Sequence, residues 1–224
     1  MSKKHLLILV TVVLPLMGVI SNANAQPYDF AITRLHYPGG GDWYSDPSSL
    51  PNLINYLEER AELHVNPEEI RIKPGDPELF LHPYLYLTGH GNIRLGEPDI
   101  RTLRKYLTTG GFLHADDNFG MDESFRREMK RVFPDKEWVE LPFDHPIYHM
   151  KYDFPDGPPK IHKHDGKPAQ GLGLFHEGRL VVFYTYETDL GDGWEDTDVH
   201  KDPAEKHQAA LKMGTNIVLY ALTH

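Results

Sequence analysis

The residues whose types and spacing could do chemistry fall in Tyr84-Leu-Tyr-Leu-Thr-Gly-His-Gly91 and Gly110-Gly-Phe-Leu-His-Ala-Asp-Asp117. His90 stands between Gly89 and Gly91, which let the backbone turn tightly and leave the imidazole unshielded. Asp116 and Asp117 are adjacent carboxylates after an apolar run. Such a pair repels itself, and the repulsion is easiest to accept where a proton or a cation resides. His114 precedes Asp116 by two residues and so shares a strand face with it. In a hydrolase, one carboxylate would act as general base on water, with His90 as acid or ligand.

A second set of residues has the types expected of a ligand surface. Gly39-Gly-Gly41 could cradle phosphate, but it lacks the P-loop lysine and the dinucleotide spacing. Asp42, Trp43 and Tyr44 follow it and place a carboxylate beside two aromatics, as sugar-binding surfaces often do. The candidate ligand-binding residues are Gly40, Asp42, Trp43, Tyr44, Gly89, Gly91, Asn92, His114, Glu187 and Trp194. A functional metal is not expected: there is no HExxH, no EF-hand register and no cysteine. His145 and His149 have i, i+4 spacing, but Pro146 argues against a helix there. Ile161-His-Lys-His164 puts two histidines on one side of an extended segment, and Asp189 to Asp196 has a calcium-loop flavour without the register. Divalent metal is kept only as part of the hydrolytic alternative. No GxSxG elbow is present, so a serine nucleophile finds no support.

These residues need elements to position them. Phe30–Tyr37 reads as a first strand, stopped by Pro38 and the glycines. Asp46-Pro47 predicts a helix start, with Leu50, Leu53, Ile54 and Leu57 on one buried face. A short strand is expected within His64–Ile72. Tyr84–Thr88 is nearly all apolar, as a central parallel strand should be. A helix from Pro98 ends at Gly110 or Gly111, before a strand over Phe112–Ala115. Asp122 is placed as cap of the next helix, and Trp138–Leu141 as another strand. Gly173–His176 and Arg179–Thr185 read as a hairpin across Glu177-Gly178, and Asp202-Pro203 opens the last helix. Alternating strands and helices predict an α/β fold with a mostly parallel, doubly wound sheet. Such sheets bind ligands outside the carboxyl ends of their strands, where at least some of the groups after the strands (Gly39–Tyr44, Gly89–Asn92, Asp116–Asn118 and Tyr186–Asp189) should converge.

Bulk properties narrow the classes. Lys3, Lys4, the apolar run Leu6–Ile20 and Ala23-Asn24-Ala25 predict a secretory signal cleaved after Ala25, residues 1–25, and a periplasmic or secreted protein of one domain, residues 26–224. No second apolar run of spanning length occurs, so no membrane span is expected in the mature chain. The formal charge of −10 becomes more negative once the two lysines are removed, which argues against nucleic acid as partner. Zero cysteines excludes disulfides, thiolate metal sites and a cysteine nucleophile together. Residues 142–170 form a loop-rich stretch dense in Pro, Asp, Lys and His.

Leu107-Thr-Thr-Gly-Gly-Phe-Leu-His-Ala115, Phe143-Asp-His-Pro-Ile147 and Gly178-Arg-Leu-Val-Val-Phe-Tyr-Thr185 resemble segments of the trehalose-utilisation (ThuA-like) proteins of the class I glutamine amidotransferase-like fold. More closely, Gly39-Gly-Gly-Asp-Trp-Tyr44 with Gly111-Phe-Leu-His-Ala-Asp-Asp-Asn118 resembles the bacterial domain of unknown function 4159. The resemblance implies a flavodoxin-like three-layer α/β/α sandwich and no activity. True amidotransferases use a cysteine on a tight turn, and this chain has none. The first reading is therefore a binding or scaffold protein of the cell envelope, for a small molecule, a saccharide or another protein. The alternative is a hydrolase using His90, Asp116 and Asp117.

Overall fold

A computed structural model describes residues 28–224 of the chain. The expected signal peptide lies outside the described residues. Seven strands form one sheet: β1 (Thr33–Leu35), β2 (Ile70–Ile72), β3 (Tyr84–Leu87), β4 (Phe112–Asp116), β5 (Val139–Glu140), β6 (Gln170–His176) and β7 (Arg179–Tyr186). Their order is β2-β1-β3-β4-β7-β6-β5. The first five are mutually parallel, whereas β6 runs antiparallel to β7 and β5 antiparallel to β6. The protein is thus an α/β fold with a mostly parallel mixed sheet flanked by helices.

Side chains leave each strand alternately to the two faces. Leu85 and Leu87 of β3 join a core with Leu113, Ile100 and Leu103 of α2 (Glu97–Thr108), and Phe125 and Met129 of α3 (Asp122–Val132). Tyr84 and Tyr86 join the opposite core, with Leu50, Leu53 and Leu57 of α1 (Ser49–Ala61) and Met213 and Ile217 of α6 (Ala204–Thr223). Each face buries a complete apolar stripe, and this explains why the central strands read as continuous apolar runs.

Boundaries differ from the sequence expectation where backbone chemistry intervenes. The first strand is shorter than Phe30–Tyr37; Phe30 makes only a lone bridge to Val65. Asp46 does not cap α1. Its φ is 56°, it is buried, and its backbone oxygen accepts from Ser49 N (3.1 Å) while its carboxylate faces inward. The helix starts at Ser49, two residues later than the Asp-Pro signal indicates. Asp122 is the first residue of α3 rather than its cap. The Glu177-Gly178 turn has both residues at positive φ (50° and 82°), the geometry that suits the right-handed twist of a two-residue hairpin. Between β7 and α6 lie two short helices, α4 (Leu190–Trp194) and α5 (Thr197–His200). The Asp189–Asp196 run, which resembles a calcium loop in composition, is therefore mostly α4.

Candidate functional site

The chain leaves β1 toward β2 on one side and returns to β3 on the other. The resulting switch point is where an open α/β sheet leaves a crevice. Three loops meet there. A Cβ on Gly41, after β1, would collide with the carbonyl oxygen of Gly91, after β3, and one on Gly91 would lie 3.0 Å from the carbonyl oxygen of Gly120, after β4. Gly89 has φ 133°, and a side chain there would strike the Tyr37 hydroxyl, so only glycine allows this approach. The Asn92 amide donates to the Gly39 carbonyl (2.6 Å) and ties the first two loops together.

On this rim, Asp42 accepts from the His90 backbone N–H (Oδ1, 2.5 Å) and pairs with His90 Nδ1 (Oδ2, 2.9 Å). Partial burial would raise the Asp42 pKa, but these bonds outweigh it and lower it. The dyad faces solvent, with side-chain exposures of 53% for His90 and 35% for Asp42. Trp43 stacks on His36 at 4.0 Å, and Tyr44 and Phe119 stand exposed at 61% and 60%. The same loops thus carry exposed apolar rings and a hydrogen-bonding pair. Gly40, also on this rim at φ 88°, has open space over its Cα.

The other candidates lie deeper. Asp116 is fully buried and accepts from Thr185 Oγ1 (2.6 Å), Thr188 Oγ1 (3.0 Å) and Gly191 N (2.6 Å). Burial pushes its pKa up to about 7 against those bonds. Asp117, 3% exposed, accepts from the Glu187 backbone N–H (2.9 Å). Glu187 is itself buried, and it anchors the segment before β6 through Lys160 Nζ (2.6 Å) and Asp165 N (3.0 Å). Burial would raise the Glu187 pKa, but these two bonds hold it low. His114 shares its face with Asp116 as expected, and both its ring nitrogens are engaged, by the Tyr84 hydroxyl (2.9 Å) and Thr185 Oγ1 (3.1 Å). Burial drops its pKa to about 3, so it is a neutral core histidine. Trp194 is fully buried, donates to the Ala210 carbonyl (2.8 Å), and packs in the core rather than on a cleft wall.

Beneath and beside Asp116 sits a cluster that the sequence reading did not assemble. Asp46 Oδ2 accepts from Asn118 Nδ2 (3.1 Å). Burial and the charges of Asp192, Glu195 and Asp116 push its pKa up to about 8. His162 Nδ1 meets Asp189 (2.8 Å) and Asp192 (3.1 Å), and its Nε2 meets Asp202 (2.9 Å). Those bonds to Asp189 and Asp192 carry its pKa up to about 10. His164 Nε2 meets the same Asp189 (3.0 Å). Burial alone would lower the His164 pKa, but Asp117 and Asp189 raise it to about 10. Asp189, whose own burial opposes ionisation, is held near 2 by the two histidines. The alternation in Ile161-His-Lys-His164 was the available signal, because it places both rings on one side. The acid run 189–196 was the other. Nothing in their order said that they meet each other or Asp46.

Residues 31–222 match the family described as Domain of unknown function (DUF4159), and the chain belongs to that family. No match was found among curated proteins.

Proposed function

We propose that this DUF4159 protein is an exported, non-catalytic ligand-binding protein of the cell envelope that holds a saccharide at the β1/β3 switch point. Its finer fold is read as a three-layer, doubly wound α/β/α sandwich of the class I glutamine amidotransferase-like superfamily, without the catalytic cysteine. The layering is supported by the two apolar cores on opposite sheet faces. Periplasmic or secreted location rests on the signal-like first 25 residues.

The observation that carries the binding reading is the rim itself. Loops in backbone contact carry exposed Tyr44 and Phe119 and the solvent-facing Asp42–His90 pair. Aromatic faces stack on the apolar face of a sugar ring, and the carboxylate accepts its hydroxyls. The hydrolytic alternative is less favoured for Asp116, whose buried carboxylate already accepts three hydrogen bonds. His90 is committed to Asp42 rather than to Asp116 or Asp117.

Titration of the mature protein with a panel of soluble oligosaccharides, followed by calorimetry, tests this. Tyr44→Ala and Phe119→Ala remove exposed side chains and should leave the melting temperature within about 2 °C of wild type. Each should weaken binding about tenfold or more. Saccharide binding that survives both substitutions, or no saccharide binding at all, rejects the reading.

A further inference from the structure

Two triads of metal-type ligands share one residue. In His162, Asp192 and His200, the donor atoms all lie within 4.8 Å of one another, and the same holds for Asp46, Asp192 and Glu195. Asp192 Oδ2 is 3.1 Å from His162 Nδ1 and 3.5 Å from His200 Nε2. A tetrahedral ion with arms of about 2.0–2.1 Å sets its ligand atoms about 3.3 Å apart. The two separations from Asp192 to the histidines lie on either side of that edge length. His200 Nε2 also lies 2.9 Å from Glu195 Oε2, so the two triads form one continuous donor set.

A second observation, independent of the acids and histidines, points into the same place. Asn118 is 1% exposed and gives its Nδ2 to Asp46, yet its Oδ1 has no donor among the described residues. The Tyr86 hydroxyl is fully buried and likewise has no partner among the described residues. It converges with Asp46: a Cβ on Gly191 would lie 2.7 Å from the Tyr86 hydroxyl and 2.8 Å from Asp46 Oδ2. A buried carbonyl without a donor and a buried hydroxyl without an acceptor each cost free energy. A cation and its bound water would satisfy both.

Charge balance agrees. Among the described residues, no Lys or Arg side chain pairs with Asp46, Asp189, Asp192, Glu195 or Asp202; the ionic partners of the last four are histidines. Access exists as well. His162 and His200 keep 25% and 31% side-chain exposure, and His162 borders an open hollow of about 550 Å³.

We propose that His162, His200, Asp192, Glu195 and Asp46 form a divalent transition-metal site, with Asp192 shared between its bis-histidine and all-carboxylate sides. Imidazole with carboxylate selects zinc-class ions over Mg2+ and Ca2+, which prefer all-oxygen sites. This goes beyond the saccharide reading and uses none of its rim residues, so either can fail alone.

The test is calorimetric titration of chelator-stripped mature protein with ZnCl2, MgCl2 and CaCl2. Zn2+ should bind with one equivalent, or two if both sides fill, at micromolar affinity or tighter, and should raise the melting temperature. Mg2+ and Ca2+ should bind at least about a hundredfold more weakly. Asp192→Asn, which alters the shared ligand, should weaken Zn2+ binding about a hundredfold, and Asp42→Asn on the rim should leave it unchanged. Should Asp192→Asn fail to fold, the half-exposed His200→Gln decides, with an expected loss of about tenfold or more. Absence of Zn2+ binding overturns the proposal. So does Zn2+ binding that His200→Gln leaves unchanged, which would indicate an adventitious ion only.

Discussion

Gly191→Ala should destabilise the protein, although helix propensity says the opposite. Gly191 sits in α4, where alanine is favoured over glycine by about 1 kcal/mol. A methyl group there would stand 2.7 Å from the Tyr86 hydroxyl, 2.8 Å from Asp46 Oδ2 and 3.3 Å from Asp116 Oδ2. All three neighbours are confined. Tyr86 is fully buried and packs on Trp194 and His114 at ring separations of 5.4 and 5.5 Å. Asp46 is held by Asn118, and Asp116 by two threonine hydroxyls. Relief therefore comes by moving α4 outward, which stretches the 2.6 Å bond from Gly191 N to Asp116. Overpacking costs about 1–3 kcal/mol. Weakening a hydrogen bond to a buried carboxyl adds about 1–2 kcal/mol. Against the propensity gain, the net loss is about 2 kcal/mol. Urea denaturation at neutral pH measures it as a lower midpoint with unchanged slope, and the melting temperature should fall by about 4–8 °C. Gly75→Ala is the matched control, because its Cβ would meet nothing nearer than an Asp99 oxygen at 4.0 Å. A Gly191→Ala protein as stable as wild type, or more so, would refute the close convergence of Tyr86, Asp46 and Asp116 on α4.

Other perturbations give signed outcomes. His164 has its folded pKa raised to about 10, above the ordinary value of 6.5, so its stabilisation is complete below about pH 6.5 and disappears as pH rises through 10. His164→Gln should therefore cost about 2 kcal/mol near pH 6, after a discount for solvent screening, and almost nothing above about pH 10.5; paired urea curves check this, and an equal cost at both pH values contradicts it. Arg34 is 1% exposed and paired with Glu69 at 2.7 Å, so Glu69→Ala leaves a buried guanidinium uncompensated and should cost about 3 kcal/mol in the same assay. A loss under about 1 kcal/mol would mean that the Ser45 carbonyl alone (2.9 Å) satisfies Arg34. Trp194→Phe removes the bond to Ala210 and some core volume, and should lower stability by about 1–3 kcal/mol while leaving saccharide affinity unchanged; altered affinity would place this residue on the ligand path.

Residue order alone determined the parallel frame, because local rules suffice for it. Apolar stretches at Tyr84–Leu87 and Phe112–Ala115, periodic faces on α1, α2 and α3, and the Glu177-Gly178 turn each encode their own geometry within a few residues. The same rules placed Asp42, His90, Asp116 and Glu187 at strand ends, and the carboxyl edge followed from parallel pairing. Tertiary structure alone decided which of those groups meet water and which meet each other. Asp46 reads as a helix cap until a positive φ turns its carboxylate toward Asn118. Asp116 reads as a base until Thr185, Thr188 and Gly191 close around it. His162 and Asp192 are 30 positions apart in the chain and 3.1 Å apart in space. Burial and long-range pairing depend on how α4 and the segment before β6 pack over the sheet edge, and no local pattern carries that information.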